Sequence, residues 1–291
     1  MATAGDTSYI AGGLLEVIAA DAIMAFRGSK VTANLVKNEY RSVAETISVP
    51  VWNNGTAKID SGDVTGVTDG TIISPANLNS DKKTITLAPF AVRSDLYDDT
   101  VNSNADNPQG RLGIFLGEAI ASYVDSQLNA LFAGLSTTVG TSTSALTIDN
   151  LFSAIKNMKS LPSAPKPYSA VLQEAQIWGS LGIMNDLVTT TQFGGSPALQ
   201  QEGLMTGWVN RIAGIDIYHS PEFTETSSAV MGGIFSKDAL ALGWAGPSNM
   251  IKMETDREIA YLRDIYVASI FFGVIEAVDD WGCMVHTRTT V

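Results

Sequence analysis

DNPQGRLGIFLGEAIASYVDSQLNALFAGL, residues 106–135, carries the clearest helical signal in a chain of 291 residues. Asn107 suits an N-cap, Pro108 the first helical position and Gly134 a place near the C-cap. Leu112, Phe115, Ala119, Ile120, Tyr123, Val124, Leu128 and Leu131 recur largely at three- and four-residue steps, so one face is apolar for nearly the whole length. The spacing predicts a long spine rather than a short connector.

Upstream, ETISVPVWNN places Ile47, Val49 and Val51 at alternate positions, and KKTITLAPFAV places Ile85 and Leu87 likewise. Period-two alternation predicts two half-buried strands. Between them lies a polar stretch, VWNNGTAKIDSGDVTGVTDG (residues 51–70), punctuated by Gly55, Gly62, Gly66 and Gly70 and followed by Pro75. The pair reads as a long hairpin with an extended tip, and so long an excursion in a compact domain implies a task or a partner. Further upstream, residues 10–26 (IAGGLLEVIAADAIMAF) hold Leu14, Val17, Ile18 and Ile23 near helical spacing, which predicts a short amphipathic arm.

Downstream of a polar linker, IDNLFSAIKNMKS predicts a second helix capped by Thr147 or Asp149 and stopped by Pro162. The chain then alternates: strand at residues 169–173, helix EAQIWGSLGIM, a loop QFGGSPALQQ, strands IDIYHS and AVMGGIFS, and a short helical turn DALALGW. The last part, from Met250 to Arg288, reads as a strand, a helix-like turn and two strands. Within it YVASIFFGVIEAV, broken by Ser269 and Glu276, is too short for a membrane span and reads as a buried strand or strand pair. Such alternation predicts a mixed α+β domain whose chain ends pack together.

Composition narrows the function. Hydrophobic residues make up 45% of the chain and charged residues 16%, enough apolar material for a sizeable core. Eighteen Lys and Arg against 30 Asp and Glu give a net charge of −12, which opposes broad contact with phosphate backbones. The single Cys283 has no partner for an intrachain disulfide and no metal-type spacing. No phosphate-cradling, nucleophile-elbow or zinc-helix motif is present. His219 and His286 lie on expected strands without a spaced partner. Asp60, Asp63 and Asp69 lack the order of a calcium loop and the closing Glu, so they read as turn residues. Asp95, Asp98 and Asp99 form an acidic cluster, read as a solvated turn or inter-subunit salt-bridge site, with a general acid/base pair as the other reading. The five tryptophans are scattered, as core or interface anchors are.

In this order and at these lengths, the segments resemble the major capsid proteins of tailed bacteriophages, the HK ninety-seven fold. ISVPVWNNGTAKIDSGDVTGVTDG with KKTITLAPFAVRSDLYDD is similar to the extended loop and its base, and GRLGIFLGEAIASYVDSQLNALFAGL to the spine helix. GLMTGWVNRIAGIDIYHSPEF resembles part of the central domain, and NMIKMETDREIAYLRDIYVASIFFGVIEAVDDWGCMVHT the strands rejoining the peripheral domain. The resemblance spans essentially the whole chain and rests on order, since no motif is specific alone. It implies an α+β capsid fold divided into an N-terminal arm (1–40), an extended β-hairpin loop (41–92), a peripheral domain with the spine helix (93–145), an axial α/β domain (146–250) and return strands of the peripheral domain (251–291).

The implied function is that of a structural shell subunit, not an enzyme, associating with itself in hexamers and pentamers around double-stranded DNA without reading its sequence. No cofactor, metal or membrane is implied, and the implied location is the virion, assembled in the host cytoplasm. Because the chain begins almost directly with the arm, a separate scaffolding protein is expected, with a portal, while a cement or decoration protein stays open. Some relatives cross-link a loop lysine to a neighbour's asparagine. Lys58, Lys82 and Lys83 are present, but no partner asparagine or promoting acid can be matched, so cross-linking is expected to be absent. Candidate inter-subunit residues are Trp52 as a hairpin anchor, Asp60, Asp63, Lys82 and Lys83 as charge partners, and Trp208 and Arg211 in the axial domain. The alternatives are an encapsulin-like nanocompartment shell, which shares the fold, and a soluble α/β enzyme.

Overall fold

A computed structural model describes residues 7–52, 63–67, 72–73, 75–76, 80–103, 108–160, 164–178, 180–183, 211–246 and 251–290. Its centre is a long strand, β12 (Arg263–Glu276), which contains the apolar run from Tyr266 as far as Glu276 as a single strand. Three strands line its edges: β4 (Ala88–Tyr97), β10 (Leu240–Ala245) and β11 (Lys252–Glu258), all antiparallel to it. Phe272 pairs with both Trp244 and Ala88, and Arg263 with both Glu258 and Tyr97. A strand has two edges, so β10 and β11 follow one another along one edge of β12 while β4 runs along the other. A fifth strand, β1 (Asn38–Ser42), adds in parallel outside β10.

Alternation of side chains gives this sheet two unlike faces. Leu240, Leu242 and Trp244 of β10 and Ala268, Ile270 and Phe272 of β12 belong to the core beneath two helices. Ala241 of β10 and Ile275 of β12 belong to a separate core on the opposite face, with Ile47, Val49, Val51, Ile85 and Leu87. Both faces are covered, so β10 reads as a continuous apolar run without polar alternation. That is why DALALGW, expected as a helical turn, is a strand.

The two helices are α1 (Thr7–Ser29) and α4 (Pro108–Ala130), the latter extended by a 3-10 turn, Leu131–Gly134. Gly113 lies against Ile18 and Gly117 against Ala22, so positions advance together and the helices run parallel. A Cβ on either glycine would overlap the backbone carbonyl facing it, so these two positions admit only glycine at this separation. The segment expected as a short amphipathic arm packs through Ile18, Ala22 and Phe26 into the main core. Its presence turns the buried stripe of α4. Leu112, Leu116, Ile120, Ala121, Val124 and Leu128 are interior, whereas Phe115, Ala119 and Tyr123 of the expected face are exposed.

The hairpin consists of β2 (Thr46–Trp52) and β3 (Ser80–Thr86), paired Ile47 to Ile85 and Trp52 to Ser80. Burial in β2 alternates strictly, as read from sequence. The base sits over the sheet where Gly243 and Gly273 pair across β10 and β12, and a side chain at Gly273 would meet the Thr86 carbonyl. Two glycines opposite each other thus form the window into which Ile47, Ile85 and Leu87 settle.

A six-stranded sheet forms the rest: β5 (Thr138–Gly140), β13 (Gly282–Arg288), β9 (Ala229–Ser236), β6 (Tyr168–Leu172), β8 (Ile215–His219) and β7 (Arg211–Ile212), in that spatial order. Helix α5 (Ile148–Lys159) packs on it through Leu151, Ala154, Ile155 and Met158, with Thr147 as N-cap accepting from Asn150 at 3.2 Å. Helix α6 (Glu174–Ile177) is a single turn rather than the eleven-residue helix EAQIWGSLGIM, because the chain turns back and lays Gly182 on the Ile177 and Trp178 carbonyls. Short helices α2 (Thr32–Leu35) and α3 (Asp98–Ser103) complete the set.

The chain crosses between the two sheets more than once. β10 lies within 146–250 and belongs to the five-stranded sheet, whereas β5, within 93–145, and β13, within 251–291, belong to the six-stranded one. Each of the three joins the sheet that the strand before it does not.

Candidate functional site

Chemistry was sought first at the acidic cluster. Asp95 is held by Arg93 at 2.6 Å and by Arg263 at 2.7 Å, and Asp98 receives two bonds from Arg257, each 2.6 Å. The Arg93 hydrogen bond depresses the Asp95 carboxyl, and Arg257 does the same for Asp98. Carboxylates held ionised in this way are poor general acids at neutral pH. Asp95 and Asp98 thus belong to an ion-pair network within the chain.

The network extends across four elements, the fourth being the short helix α3 (Asp98–Ser103). Arg257 also reaches Asp264 at 3.0 Å, and Arg263 grips Glu258 with Nε at 2.8 Å and Nη2 at 2.6 Å. The Asp98 backbone N–H donates to the Leu262 carbonyl at 3.0 Å. The end of β4 and the turn joining β11 to β12 are thereby locked together. The helix-like turn that sequence predicts here is the 3-10 turn Ile259–Tyr261, and MIKMETDREIAYLRD alternates charges of both signs around its short apolar run.

A second polar cluster lies in the interior. Asp125 and Asn129, one helical turn apart on α4, are 2% and 3% exposed. Asp125 accepts the Val31 and Ala33 backbone N–H groups, and Asn129 accepts the Thr32 hydroxyl at 2.7 Å while donating to the Glu222 carbonyl at 2.7 Å. Burial raises the Asp125 carboxyl above its ordinary value, against the pull of those backbone donors and of Lys30. Lys30 is itself lowered by burial, with Nζ 4.4 Å from the centre of the Phe26 ring. The readable signal was two polar residues at i, i+4 on the apolar stripe. Their task is structural: they pin α2 and the loop after β8 to the spine.

The candidate contact residues scatter. Trp52 ends β2 and is 57% exposed, as an anchor awaiting a partner would be. On β3 Lys82 is exposed and Lys83 half-buried, the charge of Lys83 reaching Glu276. Asp63 is exposed. Arg211 pairs with Asp216 of β8 at 3.3 Å, which uses it within the chain. Asp60 and Trp208 lie outside the described residues, as do Lys58 and Asp69. His219 Nε2 stands 3.1 Å from Glu174, both well exposed, and His286 sits in β13. Among the described residues no three His, Cys, Asp or Glu side chains gather as a metal site, and no helix is long and apolar enough to cross a membrane.

No protein-family model matches the sequence, and no curated protein matches it. Solved structures do match the fold over most of its length. The capsid structure of the cyanophage P-SCSP1u aligns with a TM-score of 0.63 at 15% identity, over 90% of this chain and 89% of that one. Mycobacterium phage Che8 aligns at 0.62 and 15% identity, over 88% and 90%. A virus-like particle from Pyrococcus furiosus aligns at 0.55 and 10% identity, over 93% and 98%. The architecture described above is thus the α+β fold of tailed-phage capsid proteins.

Proposed function

We propose that this chain, which has the tailed-phage capsid fold, is the repeating subunit of a closed icosahedral protein shell. The observation that carries the reading is the match in extent: the two alignments cover 90% and 88% of this chain and 89% and 90% of the matched chains, so the likeness spans most of both. The surfaces agree with it. Apolar side chains stand exposed on α1 (Val17, Met24), α4 (Ile114, Phe115) and the end of β2 (Trp52), on the helix pair and on the hairpin rather than on one element. A subunit with neighbours on several sides needs that distribution, and an enzyme does not. Heterologous contacts closing around rotation axes yield the hexamers and pentamers that tile such a shell.

The contents we infer are double-stranded DNA. A net charge of −12 keeps a wall from binding the duplex it contains. A separate scaffolding protein and a portal belong to the same reading, and so does a place in the virion after assembly in the host cytoplasm. The test is electron microscopy and sedimentation of the expressed protein, alone and co-expressed with a candidate scaffolding protein. Closed shells of uniform size are expected, whereas a small species that never assembles under either condition would overturn the reading.

A second reading is favoured by one specific match, the Pyrococcus furiosus virus-like particle. In it the shell would enclose protein. Nucleic acid and protein content of purified particles separates the two: nuclease-protected DNA supports the first, and a co-purifying enzyme the second.

A further inference from the structure

A line of aromatic rings runs from the interior to the outer side of the spine helix. Trp244 of β10 is 1% exposed and packs on Phe272 of β12, its cross-strand pair, with ring centres 5.9 Å apart. Phe272 meets Tyr123 of α4 edge to face at 6.1 Å, and Phe90 of β4 adds a second bridge, 4.8 Å from Phe272 and 4.9 Å from Tyr123. Tyr123 is 40% exposed and lines a surface pocket with Phe90 and Ala119. The line therefore joins a buried indole to a solvated phenol through rings in contact.

The two ends differ in what they can do after losing an electron. The Trp244 Nε1–H is a buried donor with no acceptor among the described residues, the kind of orphan that calls for an explanation. An indole oxidised there has no base beside it to take the proton. It stays a radical cation, the more strongly oxidising form. Tyr123 stands in solvent, so its phenol can release a proton to water as the electron leaves, and a neutral phenoxyl radical results. Phe272 and Phe90 are too hard to oxidise to trap the vacancy between them. The downhill direction is outward.

We propose that Trp244, Phe272 and Tyr123 form an electron-transfer relay that carries oxidising equivalents out of the core, a protective activity separate from shell building. Ultraviolet light absorbed by the buried indole ejects an electron, which dissolved oxygen takes up as superoxide. An electron then passes from Tyr123 to the indole radical cation across the Phe272 ring, and the phenol proton goes to water. Trp244 is restored, one phenol O–H bond is broken, and a Tyr123 phenoxyl radical, a hydrated proton and superoxide remain. The radical then stands where small reductants in solution can reach it.

Flash photolysis of the folded chain tests the relay. In the parent, decay of the indole radical cation should be matched by growth of a phenoxyl signal. Tyr123→Phe keeps the ring and removes the electron donor, while the other four tryptophans are common to both chains. The variant should lose part of the matched growth, and oxidation products at Trp244, read by peptide mass spectrometry after steady illumination, should rise several-fold. Unchanged phenoxyl growth, or an unchanged yield at Trp244, would overturn the proposal. The parent alone supplies a second measurement, because Tyr97 and Tyr261 are more exposed than Tyr123, at 46% and 63%. A spin trap for phenoxyl radicals should mark Tyr123 above both under illumination, and marking in order of exposure would equally overturn it. Both readouts use the unassembled subunit, so they stand whether or not the chain forms shells.

Discussion

The carboxylate of Asp125 accepts the backbone N–H of Val31 at 2.6 Å, joining residues 94 apart in sequence where α1 ends and the spine runs beneath it. The Ala33 N–H completes the pair at 2.9 Å. Asp125→Ala leaves both donors buried without an acceptor, and a loss of about 3 kcal/mol of stability is expected in urea unfolding. The sign of its pH dependence follows from burial, which raises the folded-state pKa above the ordinary 3.8. The folded state then holds the proton more readily than the unfolded one, so this group's contribution is full below 3.8 and is lost as pH rises through the raised value. Asp125→Asn should remove that part of the pH profile; an unchanged profile would show that the carboxyl titrates normally.

Gly117 and Gly28 provide a matched pair. Alanine at Gly117 overlaps the Ala22 carbonyl and must force the parallel helices apart, which is expected to cost about 1–3 kcal/mol. Alanine at Gly28, near the end of α1, meets nothing within 4 Å and should be neutral or stabilising by up to about 1 kcal/mol. Thermal melts of the two variants read the contrast directly, and equal melting temperatures would mean that α1 is not seated on the spine.

Deleting residues 60–70 removes polar sequence beyond the paired strands of the hairpin and touches none of its register from Ile47 to Ile85. The shortened chain should remain folded with an unchanged far-ultraviolet circular dichroism per residue. Under the shell reading, with this stretch given the contact to another subunit that the resemblance implies, it should not form stable shells. Normal particles from the deletion would sink that role.

Asp98 titrates in the opposite sense to Asp125. Its bond from Arg257 depresses the folded pKa below 3.8, so the brace contributes above 3.8 and is lost as pH falls through the depressed value. Amide exchange at Asp98, whose N–H is bonded to Leu262, should therefore gain protection factors at neutral pH that Arg257→Ala abolishes. Equal protection in parent and variant would show that the turn is held without the ion pairs.

What sequence made legible follows from how local each signal is. β2 shows period two because only one of its faces is covered, and α5 announces itself through Thr147 and a narrow buried stripe. β10 was misread because both its faces are buried, which erases the alternation. The face of α4 was misjudged by roughly one residue's rotation because Gly113 and Gly117 face a partner helix almost a hundred residues away, and glycines carry no hydrophobic weight. The contact candidates were chosen by residue type. Residue type draws attention to Trp52, which stands on an exposed edge, while the exposure of Tyr261 and Leu262 follows from a left-handed turn that no local pattern announces.

The crossing of the chain between its two sheets has a mechanical consequence. Three residues separate β9 in one sheet from β10 in the other, and five separate β12 from β13, with the Ala277 and Val278 N–H groups both donating to the Ala239 carbonyl. Two short straps clasped side by side, with Phe132, Phe235 and Met284 continuing the main core across the gap, leave little slack for one sheet to pivot on the other. Such a subunit behaves as a stiff tile. Under the shell reading, the curvature of the container, and with it the volume enclosed, is then set at the seams between tiles rather than by any bending within them.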